Sequence, residues 1–116
     1  MKATIYHNPR CSKSRATLAL LTERGVDVDV IRYLETPPSP GELAQILEIL
    51  GKSAPQIIRF KEPAAGEQNL KPTDERDQQE WLELIAANPS LLERPIVVID
   101  GKAAIGRPPE NVLAIL

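Results

Sequence analysis

A chain of 116 residues, 42% hydrophobic and 26% charged with a formal net charge of −2, has the size and composition of one globular domain, residues 1–116, rather than two. No apolar run approaches the roughly 20 residues of a membrane span, the charge offers no global field for nucleic acid, and one Trp, one Phe and two Tyr are too few for a base-stacking platform. A single cysteine excludes an internal disulfide, and Met1-Lys2 leads into a short apolar run rather than a signal-type segment, so the cytoplasm is the expected compartment.

Residues 3–6, Ala-Thr-Ile-Tyr, read as a first strand, and the amphipathic run from Ala16 to Arg24 predicts a helix over 12–24 with Gly25 as its C-terminal cap. Between them lies His7-Asn-Pro-Arg-Cys-Ser-Lys-Ser-Arg15, so Cys11 is expected where a strand ends and a helix begins. A thiol attacks as its thiolate, and its ordinary pKa of about 8.5 falls at a helix N-terminus or beside cations. Both are expected here. The helix entrance supplies unpaired N–H groups and the positive end of a dipole, while Arg10, Lys13, Arg15 and His7 bring positive charge. Asn8-Pro9 forms a turn, and Ser12 or Ser14 can cap amides or bond the sulfur. A lone cysteine is often a small buried hydrophobe, but flanking Arg, Ser and Lys speak for a reactive thiol.

Val26, Val28 and Val30 alternate with Asp27 and Asp29, the period of a strand with one wet face that should run parallel to the first. After Pro37-Pro38, Ser39-Pro40-Gly41-Glu42 predicts an N-capped helix carrying Leu43, Ile46, Leu47 and Leu50 on one stripe and stopping at Gly51. A second helical piece is expected from Ser53 to about Phe60, a surface loop or lid from Lys61 to Pro72, and a helix from Thr73 to Asn88 with Trp81, Leu84 and Ile85 on one face. Pro89-Ser90 marks a turn anchored by Leu91-Leu92. Residues 95–99 form the strongest strand pattern, Asp100-Gly101 a hairpin turn, and Lys102 to Ile105 the antiparallel return. A last helix follows Pro109, with Val112, Ile115 and Leu116 on one side. The sum is an α/β fold, a mixed sheet with helices on its faces and the thiol at the C-terminal edge of the first strand, where open α/β sheets place ligands.

This order, with Tyr6-His-Asn-Pro-Arg-Cys11, Ser14-Arg15, Tyr33-Leu-Glu-Thr-Pro-Pro-Ser39, Arg94-Pro-Ile-Val-Val98 and Gly106-Arg-Pro108, resembles the glutaredoxin-coupled arsenate reductases over essentially the whole chain. The resemblance implies a thioredoxin-like four-stranded mixed sheet flanked by helices with a helical insertion. It implies that Cys11 is the nucleophile, that Arg59, Arg94 and Arg107 bind the arsenic oxyanion, that His7 helps lower the cysteine pKa, and that Ser14 lies near the thiol. It also makes Arg94-Pro95 a candidate cis peptide. Guanidinium groups suit the assignment because their planar fork matches oxyanions. Each arginine could instead be a rim charge of little worth, Arg59 above all, and His7 an ordinary exposed side chain. Arg10, Ser12 and Lys13 depart from the smaller or neutral residues of better-known members.

The implied reaction is attack by Cys11 on arsenic(V), with glutathione as reducing co-substrate, glutaredoxin as the resolving partner, and no tightly bound cofactor, metal, membrane or nucleic acid. Two other readings stay open. One is a transcriptional regulator of the same fold that binds RNA polymerase, a branch that typically carries a cysteine pair absent here; the other is a monothiol glutaredoxin-like thiol transferase.

Overall fold

The computed structural model describes residues 2–116, and the chain forms two units, Met1–Thr36 with Arg94–Leu116, and Pro37–Glu93. The first contains strand β1 (Lys2–His7), helix α1 (Ser12–Glu23), strands β2 (Asp27–Arg32), β3 (Ile96–Ile99) and β4 (Lys102–Ile105), and a closing 3-10 segment, Pro109–Ile115. The second contains helices α2 (Pro40–Leu50), α3 (Pro63–Glu67) and α4 (Gln78–Ala87), with 3-10 turns at Ala54–Ile57 and Pro89–Leu91.

The strands form one mixed sheet in the order β2-β1-β3-β4. β1 and β2 are parallel, as a strand, helix, strand unit requires, and β1 with β3 and β3 with β4 are antiparallel. A βαβ unit, a helical insertion and then a ββ hairpin with a closing helical segment is the thioredoxin-like arrangement. α1 ends at a Schellman cap in which Gly25, at φ 75°, lets Val26 N–H reach Leu21 C=O at 3.1 Å and its own N–H reach Thr22 C=O at 3.0 Å. Asp100 and Gly101 both take positive φ, the primed turn that matches strand twist and closes the β3–β4 hairpin. One sheet face buries Ala3, Ile5, Val97 and Ile99 against Leu21 of α1 and Val112 of the closing segment. Those inward positions alternate along each strand, so the β1–β3 register places all four on the same side. β2 is an edge strand, and Val30 remains 44% exposed, so the alternation Val26-Val28-Val30 does not translate into a fully buried face.

In the second unit, α2 starts at the expected capping box: the Ser39 hydroxyl accepts from Glu42 N–H at 3.1 Å, and Gly51 ends the helix in the left-handed region. Leu43, Ile46 and Leu47 are buried, while Leu50 is only half-buried.

Four expectations are corrected. The helical piece after Ser53 ends at Ile57, because Ile58 pairs with Leu92 in an antiparallel bridge; Arg59 N–H binds Leu91 C=O and Glu93 N–H binds Ile57 C=O. The stretch from Lys61 to Pro72 is not plain loop, since α3 lies inside it with Ala65 and Leu70 buried. The helix expected from Thr73 begins at Gln78, because Asp77 rather than Thr73 supplies the cap, accepting from Glu80 N–H at 2.8 Å; Leu82 joins Trp81 and Ile85 in burial while Leu84 is half-buried. The last helix is a 3-10 segment in which Val112 is buried and Leu116 is exposed.

Candidate active site

Cys11 occupies the N-cap position of α1 and makes no side-chain cap bond, which leaves its sulfur for other work. The preceding loop is tied down on both sides. Cys11 N–H donates to Asn8 C=O at 3.0 Å, Arg10 N–H donates to Asn8 Oδ1 at 3.0 Å, and the Arg15 guanidinium donates to Pro9 C=O at 3.0 Å. Burial by itself pushes the Cys11 thiol up, but the Ser14 N–H, the Arg94 side chain and the Lys13 N–H, together with the Arg94 charge, outweigh it and leave the pKa below its ordinary value. The helix entrance and an arginine thus act together on the thiol, and the groups that lower its pKa are backbone amides and Arg94 rather than the Arg10 or Arg15 expected from the loop.

The sheet register explains why arginines meet the thiol. Parallel pairing sets His7 against Arg32, antiparallel pairing sets Tyr6 against Ile96, and Ile96 in turn faces Ile105. Continuing the same register past the strand ends aligns Tyr33, Asn8, Arg94 and Arg107 in one row across β2, β1, β3 and β4. The row's far end is directly bonded: Arg107 Nη1 donates to Arg94 C=O at 3.2 Å and reaches Cys11 Sγ at 3.8 Å. Arg94-Pro95 is cis, as the resemblance suggested, and Arg107-Pro108 is cis as well. Gly106, immediately before Arg107, is buried so tightly that an added Cβ would lie 2.5 Å from Thr17 Oγ1 and 2.8 Å from Pro95 Cγ. Only glycine fits there without displacement.

His7 is buried rather than exposed, and its Nδ1 lies 2.6 Å from Ser14 Oγ. Ser14 Oγ also accepts from Asn8 N–H at 3.1 Å, so the serine staples the thiol loop to the first turn of α1. Burial, then the charges of Arg32 and Arg15, push the His7 pKa below its ordinary value. That direction favours the neutral ring, and the contact that ties the ring to the thiol loop is the one with Ser14 Oγ.

Arg59 belongs to the second unit. Its guanidinium is part-buried between two carboxylates, with Nε 3.1 Å from Glu62 Oε1 and Nη1 3.1 Å from Glu93 Oε1. It is not on a helix; the bridge between Ile58 and Leu92 fixes its backbone. Two residues that sequence reasoning gave no role belong to the thiol surroundings: Asn8, buried and bonded through both backbone and side chain, and Tyr33, fully buried just after β2. Tyr33 stands in a stretch already singled out by its pattern, but its place beside Asn8 follows only from the strand register.

Among the described residues no group of three or more His, Cys, Asp or Glu is placed to hold a metal ion, and no helix is long and apolar enough to cross a membrane.

Known proteins resemble this chain over nearly its whole length. The chain is 51% identical over 113 residues to the uncharacterized protein YfgD of Escherichia coli (strain K12), covering 97% of this chain and 94% of that one. It is 50% identical to an arsenate reductase of Neisseria meningitidis serogroup A, covering 97% and 96%. The solved structure of an arsenate reductase from Vibrio cholerae superposes with a TM-score of 0.95 at 47% identity, covering 100% of this chain and 98% of that one. The model of the ArsC family matches residues 6–115, and with nearly the whole chain matched, this protein belongs to the ArsC family.

Proposed function

We propose that this protein reduces arsenate to arsenite, with Cys11 as nucleophile and with glutathione and glutaredoxin supplying the reducing equivalents. The observation that carries the reading is the convergence of Arg107 Nη1, at 3.8 Å, with the Arg94 side chain and the α1 amides on a thiol whose pKa is lowered. Donors that stabilise a thiolate are also placed to hold the oxygens of a tetrahedral oxyanion in front of it. Relatives near 50% identity that bear the name arsenate reductase support the choice of substrate.

In the first step the Cys11 thiolate attacks arsenic(V). A sulfur–arsenic bond forms, one arsenic–oxygen bond breaks, and the leaving oxygen departs as water after taking up two protons, with no change in oxidation state. Arg94 and Arg107 bind the remaining oxygens. The resemblance adds Arg59 as a third anion-binding arginine, and Glu62 and Glu93 hold its guanidinium. In the second step a glutathione thiolate attacks the Cys11 sulfur. A disulfide forms, the sulfur–arsenic bond breaks, and its electron pair goes to arsenic, which leaves as arsenite. Glutaredoxin then exchanges its thiol for Cys11 and carries away the glutathione. The outside sulfur is required because the sequence has a single cysteine; Ser14 has helical spacing from Cys11, but its hydroxyl already binds His7 and Asn8. The solvent context of this chemistry is the reducing cytoplasm.

The test is arsenite production from arsenate with glutathione and glutaredoxin, beside a reaction with thioredoxin as sole reductant. Turnover in the first and not the second is expected. Sustained turnover with thioredoxin alone contradicts the reductant, and disulfide exchange without arsenite contradicts the substrate.

A further inference from the structure

Tyr33 is 0% exposed, and its hydroxyl is buried without a hydrogen-bond partner of good geometry among the described residues. A buried hydroxyl in that state is costly, and native structures that keep one usually use it. The ring alone would be served equally well by phenylalanine.

The strand register places this hydroxyl in the row that leads to the thiol. Tyr33 directly follows β2, in the turn where Arg32 C=O accepts from Glu35 N–H and Thr36 N–H, both at 2.9 Å. Continued past the strand ends, the register sets it beside Asn8, with Arg94 next along the row. The Arg94 guanidinium and the Asn8 side chain both come near enough to act on the phenol, as does Cys11. A neutral phenol can accept one bond and donate another. Arg94 has only donors to offer, and Asn8 Oδ1, which already accepts from Arg10 N–H, has a second lone pair.

We infer that Tyr33 is a positioning residue of the oxyanion site: its hydroxyl accepts from the Arg94 guanidinium and donates to Asn8, and so fixes the direction in which the Arg94 fork meets an oxyanion before Cys11. This rests on the arsenate reading above. Burial, chiefly, pushes the phenol pKa up, so the hydroxyl keeps the proton it must donate throughout the neutral range.

Tyr33→Phe removes the oxygen and keeps the ring. Two measurements read it: the arsenate concentration that protects Cys11 from iodoacetamide, which needs no turnover, and KM and kcat for arsenate with glutathione and glutaredoxin. The variant is expected to melt at or above the wild-type temperature, to need about fivefold more arsenate for protection, and to show a rise in KM of similar size. In an Arg94→Lys background, where the fork is already gone, the same change is expected to add nothing, the non-additivity of two residues acting as one unit. Equal protection in wild type and Tyr33→Phe, or fully additive losses with Arg94→Lys, overturns the inference while leaving the arsenate reading intact. Arsenate that fails to protect Cys11 in the wild type, with alkylation otherwise normal, overturns both.

Discussion

His7 and Ser14 meet beside the thiol loop, and the surroundings of the histidine bear on which chemistry it can offer there. A cationic histidine would lower a neighbouring thiol pKa by charge, but this ring is buried, faces Arg32 and Arg15, and is held by Ser14 Oγ at 2.6 Å. The groups that lower Cys11 are the Ser14 and Lys13 amides and Arg94. His7→Ala should therefore leave the pH midpoint of Cys11 alkylation nearly unchanged while costing about 1–3 kcal/mol of stability, because Ser14 and the loop lose a buried partner. Arg94→Ala should move that midpoint upward. A large upward shift in His7→Ala alone would restore the charge role. For the reaction itself, Arg94→Lys or Arg107→Lys keeps the charge and loses the planar fork. Steady-state kinetics should then show kcat/KM for arsenate lower by about 10²-fold, the usual cost of one preorganised oxyanion donor, with thermal stability little changed. Wild-type kinetics in both would place the anion elsewhere.

At the scale of elements, what could be read from the sequence was what local chemistry decides. Ser39-x-x-Glu42 specified a capping box, and Asp100-Gly101 specified a hairpin, because each involves residues close in the chain. Thr73 misled because the aspartates after it divide the work: Asp74 Oδ2 closes a local turn by accepting from Lys71 N–H, and Asp77 takes the helix start. The backbone of Arg59 could not be read locally, since Leu91, whose C=O accepts its N–H, is more than thirty positions away. Tyr33 and Asn8 likewise became site residues only through pairing of β1 with β2. The thiol and its helix entrance carry their own local pattern, whereas the two proline-flanked arginines were pointed to as anion-binding residues only by the family resemblance. Gly106 is the element-scale test of how those pieces are held together. Ala there must displace Thr17, whose hydroxyl already binds Lys13 C=O at 2.8 Å, or Pro95. Gly106→Ala is expected to cost on the order of 1–3 kcal/mol and to reduce arsenate turnover by shifting Arg107. Ser39→Ala should cost about 0.5–2 kcal/mol and leave the Cys11 alkylation midpoint alone. Chemical denaturation with alkylation kinetics on both variants separates the two; a neutral Gly106→Ala would mean that the close approach is not needed.

For the whole molecule, the same interactions that prepare the thiol make folding stability depend on pH in three windows. The folded His7 pKa lies below its ordinary 6.5, so the unfolded chain binds the proton first; stability is full above about 6.5 and is lost as pH falls toward the folded value. The folded Cys11 pKa lies below its ordinary value, so the native state ionises first; this contribution is full above the ordinary value and is lost as pH falls through the folded pKa. Tyr33 has the opposite sign. Its folded pKa lies above 10.0, so its contribution is present below about 10 and is lost as pH rises beyond. The melting temperature should accordingly climb from acid toward neutral pH, gain again across the thiol window, and turn down in strong alkali. Variants assign the parts: Cys11→Ser should abolish the gain in the thiol window alone, and Tyr33→Phe should soften the alkaline fall alone. Melts of wild type and Cys11→Ser that run parallel between pH 6 and 9 would mean that the native state gives the thiolate no advantage over the unfolded chain. In that case the donors gathered around Cys11 would not be stabilising its charge, and the nucleophile would have to be generated only as the oxyanion binds.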